Sequence, residues 1–209
     1  MQQDSSNGSF RLERLIFFSD ALFAISITLL VLELEVPRLP AGAQPADFAD
    51  ALLRLVPSAA AFVLSFVVVG AFWIAHHRLF GTVRNYDDRM IWPNLLFLMS
   101  IAMMPFATAF LGSNGNAFIP ALVYNLNLLI TSILLWWVAR RAIAFGGGHS
   151  LEREDRRTAV TVAAAALCVA LAFIVPQLSQ LGMLLAFFGG YAARSPISSS
   201  ATEVAAEDE

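Results

Sequence analysis

The chain has 209 residues, of which 58% are hydrophobic and 14% are charged. Because charged residues make up about 25% of an ordinary soluble domain, this composition excludes a soluble globular enzyme and a disordered chain. All 13 basic residues are arginine and the formal net charge is −3, which leaves no basic surface for nucleic acid. A single cysteine, Cys168, has no partner for an intrachain disulfide. The sequence therefore predicts an all-α protein whose solvent is a lipid bilayer.

Charge-free segments divide the chain into membrane-spanning helices. The first apolar stretch, residues 15–32, carries only Asp20, and residues 55–75, 90–139 and 158–193 carry no charge. A span needs about 20 apolar residues, so the last two segments are each long enough for two spans. Breaks are predicted at the glycine-rich residues 112–116 and at Pro176. The six predicted helices cover residues 14–36, 50–77, 90–112, 117–141, 157–176 and 179–194.

Arginine placement predicts the orientation of these helices. If the N-terminus lies inside, 11 of the 13 arginines fall on the inner side and only Arg38 and Arg54 fall outside. Cytoplasmic loops carry the excess of arginine in membrane proteins. We therefore expect both termini in the cytoplasm, with residues 14–194 forming the membrane domain. Residues 1–13 form a short N-terminal segment, and residues 195–209 form an acidic tail that is expected to be disordered.

Several functional motifs are missing from the sequence. It has no Thr-Val-Gly-Tyr-Gly pore loop and no helix with an arginine at every third position, so it predicts neither an ordinary potassium-channel filter nor a voltage sensor. His76 and His77 are adjacent, and neighbours on a helix point about 100° apart. We therefore expect no fixed metal site, no cofactor and no enzymatic centre.

The first helix carries two different faces. An acidic residue inside a span is costly and marks a functional or structural site, and Asp20 is such a residue. At about 100° per residue, Asp20 lies about 140° from Ile25. An apolar stripe therefore faces a different environment, which is lipid, a packed core or an axis of symmetry. The stripe consists of Phe18, Ile25, Leu29 and Leu32, with Thr28 beside it.

Three segments of the chain carry a resemblance to a known family. Residues 18–29 read Phe-Ser-Asp-Ala-Leu-Phe-Ala-Ile-Ser-Ile-Thr-Leu, residues 70–80 read Gly-Ala-Phe-Trp-Ile-Ala-His-His-Arg-Leu-Phe, and Asn94 precedes Pro105 and Phe106. In this order they resemble the first three helices of the TMEM175 family of potassium channels, prokaryotic branch. Ala21 departs from the glycine that is common in bacterial members after the Phe-Ser-Asp signature.

The resemblance implies a homotetramer of six-helix subunits in a bacterial plasma membrane, with a central pore lined by the first helix. It assigns the constriction to Ile25, Leu29 and Leu32, with a threonine ring at Thr28. It also implies a structural network that ties the first helix to its neighbours, with either histidine as a possible member. That network would comprise Arg14, Phe18, Ser19 and Asp20, with Trp73, His76, His77 and Asn94 as partners.

The hypothesis is therefore a passive, potassium-selective cation channel without a filter loop. A narrow ring of isoleucine or leucine excludes water and gates by dewetting, and potassium passes transiently near Thr28. Glu33 and Glu35 either concentrate cations at the outer mouth or merely mark the membrane interface. Two alternatives stay open: a secondary transporter, which usually shows internal repeats, and a non-conducting membrane scaffold with a buried Asp20 network.

Overall fold

The computed structural model describes residues 2–83, 87–114, 117–144, 149–176 and 178–184. These residues form an all-helical architecture, which confirms the predicted all-α fold. Two short 3-10 helices, Leu30–Glu33 and Asp88–Met90, accompany the α-helices. A single helical turn is also present at residues 181–184. The six α-helices are α1 (Gln2–Leu29), α2 (Pro45–Thr82), α3 (Ile91–Ala102), α4 (Met104–Asn114), α5 (Phe118–Ala144) and α6 (His149–Ala172).

Four helical segments in the described part of the chain are long and apolar enough to cross a membrane. They are Phe10–Glu33, Pro45–Thr82, Asp88–Asn114 and Phe118–Ala144, and they correspond to the first four predicted spans. The fifth predicted span, residues 157–176, overlaps α6, which ends at Ala172 and is not one of these four segments. Most of the sixth, and the tail at residues 195–209, lie outside the described residues.

Prolines and one glycine explain where α1 ends and α2 begins. The first helix starts at Gln2 rather than at residue 14, and its last turn tightens into the 3-10 helix Leu30–Glu33. Pro37 and Pro40 cannot donate the backbone hydrogen bonds that would continue it. Gly42 adopts a φ of 90°, which costs glycine little. Pro45 then occupies the first turn of α2, where its missing N–H is not needed.

Pro105 divides the third predicted helix into two. The structure contains the span predicted over residues 90–112 as the segment Asp88–Asn114, but this segment consists of two α-helices that are separated at Met103. Pro105 has no N–H for the carbonyl of Ile101, and its ring crowds that turn. Asn127 of α5 donates its amide N–H to the carbonyl of Ser100, at 3.2 Å. This side chain therefore satisfies a backbone oxygen at the break.

A buried chain of hydroxyl groups connects α2, α4 and α5. The hydroxyl oxygens of Thr108 and Ser65 lie 2.7 Å apart, and that of Ser65 lies 3.0 Å from the hydroxyl of Tyr124. All three side chains are buried. Buried polar groups are costly unless they are hydrogen-bonded, so these contacts fix the relative heights of the three helices. The surrounding core includes Phe72, Phe80, Phe97, Met104 and Leu128.

Gly112 marks the closest approach of α4 to α2. A Cβ atom at this position would lie 2.9 Å from the Cα atom of Ser58, whereas one at Gly81, in the last turn of α2, would have no heavy atom within 4 Å. Gly112→Ala is therefore expected to lower stability by about 1–3 kcal/mol, the usual cost of overpacking. Gly81→Ala is the control and should leave the melting temperature unchanged or slightly raised, since alanine favours a helix. Equal melting temperatures of the two variants in detergent would contradict this assignment.

Candidate functional site

One face of α1 packs against the rest of the bundle. Ser19, Phe23 and Ser26, and Leu30 of the following 3-10 turn, are almost completely buried. They recur every three or four residues, which places them on one side of a helix. The helix contacts α2 and α3, and its 3-10 extension contacts α4. Of this face, Ser19 was predicted from the sequence, whereas Phe23 and Ser26 were not, although their spacing from Ser19 follows the helical repeat.

The opposite face of α1 is left uncovered by the rest of the described chain. Ile25, Leu29 and Leu32 have relative exposures of 58%, 41% and 72%. Phe18 and Thr28 are exposed as well. At about 100° per residue, Thr28 lies about 180° from Ser19. The apolar stripe expected from the sequence is thus the face that the subunit does not use for its own packing.

The hydroxyl of Thr28 is oriented by its own helix. Its oxygen lies 3.0 Å from the carbonyl oxygen of Ala24 and 2.8 Å from that of Ile25. A threonine hydroxyl has one proton and two acceptor lone pairs, so the proton is donated to these carbonyl oxygens. The lone pairs of the hydroxyl remain available to a donor or a cation on the exposed face.

A second set of buried hydrogen bonds links Ser19 of α1, Asn94 of α3 and His76 of α2, and we call these three residues the buried chain. Ser19 donates its hydroxyl proton to the carbonyl of Leu15 at 2.8 Å, and the amide of Asn94 donates to the hydroxyl oxygen of Ser19 at 3.0 Å. The amide oxygen of Asn94 can only accept, so the Nε2 atom of His76, 2.9 Å away, must carry the proton. Within the described residues Nδ1 of His76 has no hydrogen-bond partner. We therefore assign the neutral tautomer of His76 protonated at Nε2.

Aromatic rings enclose the imidazole of His76. Phe97 stacks on it with ring centroids 5.5 Å apart and an interplanar angle of 5°, and Phe80 lies 4.4 Å away. Phe23 of α1 completes the enclosure at 5.8 Å. Because these rings exclude water, a polar group of the buried chain that loses its hydrogen bond cannot form one with water instead. The position of α1 therefore depends on contacts that are expensive to break.

Asp20 forms a second, separate contact. Its carboxylate accepts a hydrogen bond from the indole Nε1–H of Trp73 at 2.9 Å. Asp20 is half-buried and Trp73 is exposed. Within the described residues this pair is not hydrogen-bonded to the buried chain, which differs from the buried Asp20 network expected from the sequence. His77 lies beside this pair, with its ring 5.5 Å from that of Trp73. The structure thus places His76 in the buried chain and His77 on the exposed side.

The remaining residues named from the sequence lie apart from the buried chain. The guanidinium of Arg14 lies over the ring of Phe10, 5.8 Å from its centroid. Glu33 is half-buried in the 3-10 helix, and Glu35 is exposed. Glu35 lines an open groove of about 1330 Å³ between residues 34–40 and the start of α2, together with Arg38 and Arg54. In the described residues no group of three or more histidine, cysteine or acidic side chains has the arrangement of a metal site.

Comparison with known proteins identifies the family. The family model described as "Endosomal/lysosomal potassium channel TMEM175" matches residues 14–105. A potassium channel of Streptomyces collinus is 34% identical over 190 residues, which cover 82% of this chain and 88% of that relative. This chain belongs to the TMEM175 family. The helices that the family model matches include the buried chain and the exposed stripe of α1.

A solved structure and a vertebrate relative extend the comparison. The crystal structure of a lysosomal potassium-selective channel TMEM175 homologue from Chamaesiphon minutus is 30% identical, with a TM-score of 0.78, and covers 88% of this chain and 99% of its own. The human endosomal/lysosomal proton channel TMEM175 is 30% identical over 105 residues, 50% of this chain and 20% of that protein. These relatives are ion channels and not enzymes. The described part of the chain contains four apolar spans, which makes this a multi-pass membrane protein.

Proposed function

We propose that this TMEM175 protein is a passive, potassium-selective channel that assembles as a homotetramer. The observation that carries the proposal is the division of α1 into a buried face anchored by Ser19 and an exposed stripe containing Ile25. In an assembly with the first helices nearest the axis, that stripe lines the pore. The potassium channels among the relatives support potassium as the permeant ion.

Fourfold symmetry creates a path for ions that a single subunit lacks. Four copies of α1 around an axis repeat each side chain as a ring. Rings of Ile25, Leu29 and Leu32 form hydrophobic constrictions that gate by dewetting. The Thr28 ring supplies four hydroxyl oxygens to a partly dehydrated cation, which passes without a fixed metal site. No cofactor or nucleotide is needed, because ions move down their electrochemical gradient.

The orientation of the channel follows from its charges. We place both termini in the bacterial cytoplasm, because this leaves only Arg38 and Arg54 outside. Glu33 and Glu35 then stand at the outer mouth. Four subunits bring eight carboxylates to it, which raises the local cation concentration. The buried chain from Ser19 to His76 holds α1 against α2 and α3.

Electrical recording of the purified protein in a planar bilayer separates the three candidate classes. We expect ohmic single-channel steps whose reversal potential follows the potassium gradient. Saturable flux that is coupled to a second ion would indicate a secondary transporter instead. Silence in a bilayer that contains correctly assembled protein would indicate a scaffold.

A cysteine at position 25 tests the arrangement of the subunits. In a Cys168→Ala background, oxidation of Ile25→Cys is expected to join neighbouring subunits, because the rings bring equivalent side chains together. Val160→Cys on α6, an exposed position of similar accessibility, is the control and should remain monomeric on a denaturing gel. Exclusive monomer for both variants, in lipid and in mild detergent, would argue against α1 at the axis.

Thr28→Val tests the role of the hydroxyl ring in selectivity. The change removes four hydroxyl oxygens from one level of the pore and keeps the shape of the side chain nearly constant. We expect the permeability ratio of potassium over sodium to fall several-fold, measured as a shift of the reversal potential in mixed solutions. Thr161→Val on α6, whose buried hydroxyl bonds to the carbonyl of Thr158, is the control. An unchanged reversal potential for Thr28→Val would show that hydroxyls at this level do not select.

A further inference from the structure

The exposed face of α5 has the polarity pattern of a phospholipid. Leu126, Ile130, Ile133 and Trp137 are all exposed and lie three or four residues apart, which aligns them on one side of the helix. We call these four residues the α5 stripe. Arg140 and Arg141 follow directly at its end, and both are exposed. An apolar track therefore leads into a pair of positive charges.

The length of the α5 stripe fits one leaflet of a membrane. At about 1.5 Å per residue, Leu126 and Trp137 are separated by about 16 Å along the helix axis. Half of a hydrocarbon core about 30 Å thick is about 15 Å. Tryptophan side chains gather at the membrane–water interface, and Trp136 and Trp137 lie at the charged end of the stripe. This end is thus placed at the depth of the lipid headgroups.

Two arginine–tryptophan contacts organise the charged end. The guanidinium of Arg140 lies 5.6 Å from the ring centroid of Trp136, and that of Arg141 lies 5.9 Å from the ring centroid of Trp137. A guanidinium stacked on an indole keeps its N–H groups in plane and available at the edge. The charged end is thereby held in a conformation that presents donors to the headgroup region.

Asp155 of α6 holds the contact between Arg140 and Trp136 in place but does not pair with Arg141. Its carboxylate accepts a hydrogen bond from the indole N–H of Trp136 at 2.9 Å and pairs with Arg140 at 3.4 Å. No acidic side chain within the described part of the chain pairs with Arg141. Among these residues, therefore, none occupies the guanidinium donors of Arg141, which can bind an external anion.

The start of α6 adds positive charge at the same level. Because Asp155 touches α5 at Trp136 and Arg140, the neighbouring residues of α6 lie at the height of the headgroups. Arg153 and Arg156 are exposed there, whereas Arg157 pairs with Glu154. At this level the two helices together present more arginine than acid. This favours an anionic headgroup over a zwitterionic one.

We propose that the α5 stripe, with Arg140 and Arg141, binds one anionic phospholipid. The phosphate accepts hydrogen bonds from Arg141, with Arg140 beside it, and an acyl chain lies along Leu126, Ile130 and Ile133. Both parts of the surface are needed, because the arginines recognise the phosphate and the stripe recognises the chain. Lipid binding at this site does not require ion conduction, so this proposal is tested separately from the proposed channel function.

Native mass spectrometry of the full-length, delipidated protein tests this proposal. The probes are phosphatidylglycerol and phosphatidylcholine with identical acyl chains, and inorganic phosphate as a competitor. We expect phosphatidylglycerol to bind more tightly than phosphatidylcholine, and inorganic phosphate at equal concentration not to displace it. Equal binding of the two lipids, or full displacement by inorganic phosphate, would overturn the proposal.

Amino-acid substitutions test where the phospholipid binds. Arg141→Gln is expected to weaken phosphatidylglycerol binding about tenfold, because charge-assisted hydrogen bonds to phosphate are strong ones. Arg141→Lys should retain part of the affinity, since it keeps the charge and loses the planar fork. Arg54→Gln, an exposed arginine on α2, is the matched control and should bind like the unmodified protein. Loss of binding in Arg54→Gln as large as in Arg141→Gln, or no loss in Arg141→Gln, would refute the site.

Discussion

Ile25→Asn is expected to raise the current through the channel several-fold, by increasing conductance or open probability. In the proposed tetramer Ile25 is the first residue of the stripe beyond Ser19, so its backbone is held firmly by the buried chain. Its β-branched side chain has one strongly preferred rotamer in a helix, which suits a ring of constant diameter. Four isoleucines offer no polar atom to an ion, and a ring of asparagines wets the same constriction. Selectivity should fall at the same time, because a wider hydrated passage discriminates less.

Ile25→Phe is the complementary change and should reduce the current, since it adds bulk at the same level. Val31→Asn serves as the matched control, because Val31 is similarly exposed on the same segment but lies away from the stripe. It is expected to leave the current unchanged. All three variants are compared by single-channel recording at equal yield of assembled protein. If the Ile25→Asn variant conducts no better than the unmodified protein and the Ile25→Phe variant conducts no worse, the gate lies elsewhere.

Asn94→Leu is expected to lower the stability of the assembled protein strongly while leaving the conductance of each surviving channel nearly unchanged. The change removes the acceptor of the Nε2–H group of His76, in a cage of Phe23, Phe80 and Phe97 that water does not enter. A buried donor without a partner costs about 1–3 kcal/mol. The effect is expected in the melting temperature and in the yield of tetramer, because the buried chain positions α1 and does not face the pore.

A double variant distinguishes lost hydrogen bonding from a merely altered shape. Replacing both partners of a buried hydrogen bond by apolar groups is often nearly neutral. His76→Phe combined with Asn94→Leu should therefore melt at a higher temperature than Asn94→Leu alone. His77→Ala is the control for the histidine pair and should have a small effect, since His77 is exposed and contacts Trp73. A double variant less stable than either single variant would contradict the hydrogen-bond explanation.

The location of the first four apolar spans follows from the sequence because the cost of a charge in a membrane is a property of each residue. The charge-free segments at residues 55–75 and 90–139 predict spans that the structure contains as α2 to α5. The stripe on α1 likewise depends only on local periodicity, since Ile25, Leu29 and Leu32 share one side of any straight helix. The break beside Pro105 has a local cause, because a proline inside a helix removes one backbone hydrogen bond and crowds the preceding turn. Sequence alone does not decide where such a break occurs, since Pro57 lies inside the uninterrupted helix α2.

The partners of the polar residues depended on the packing of the helices. His76 and His77 are equivalent by sequence, and only the rotation of α2 against α3 brings His76 to Asn94 and leaves His77 on the exposed side. Asp20 and Ser19 are neighbours too, yet Asp20 contacts Trp73, 53 residues away, and Ser19 contacts Asn94, 75 residues away. Periodicity determines which residues share a face of one helix. Which face meets which neighbour is decided by the fit of many apolar side chains at once, and that fit exists only in the tertiary structure.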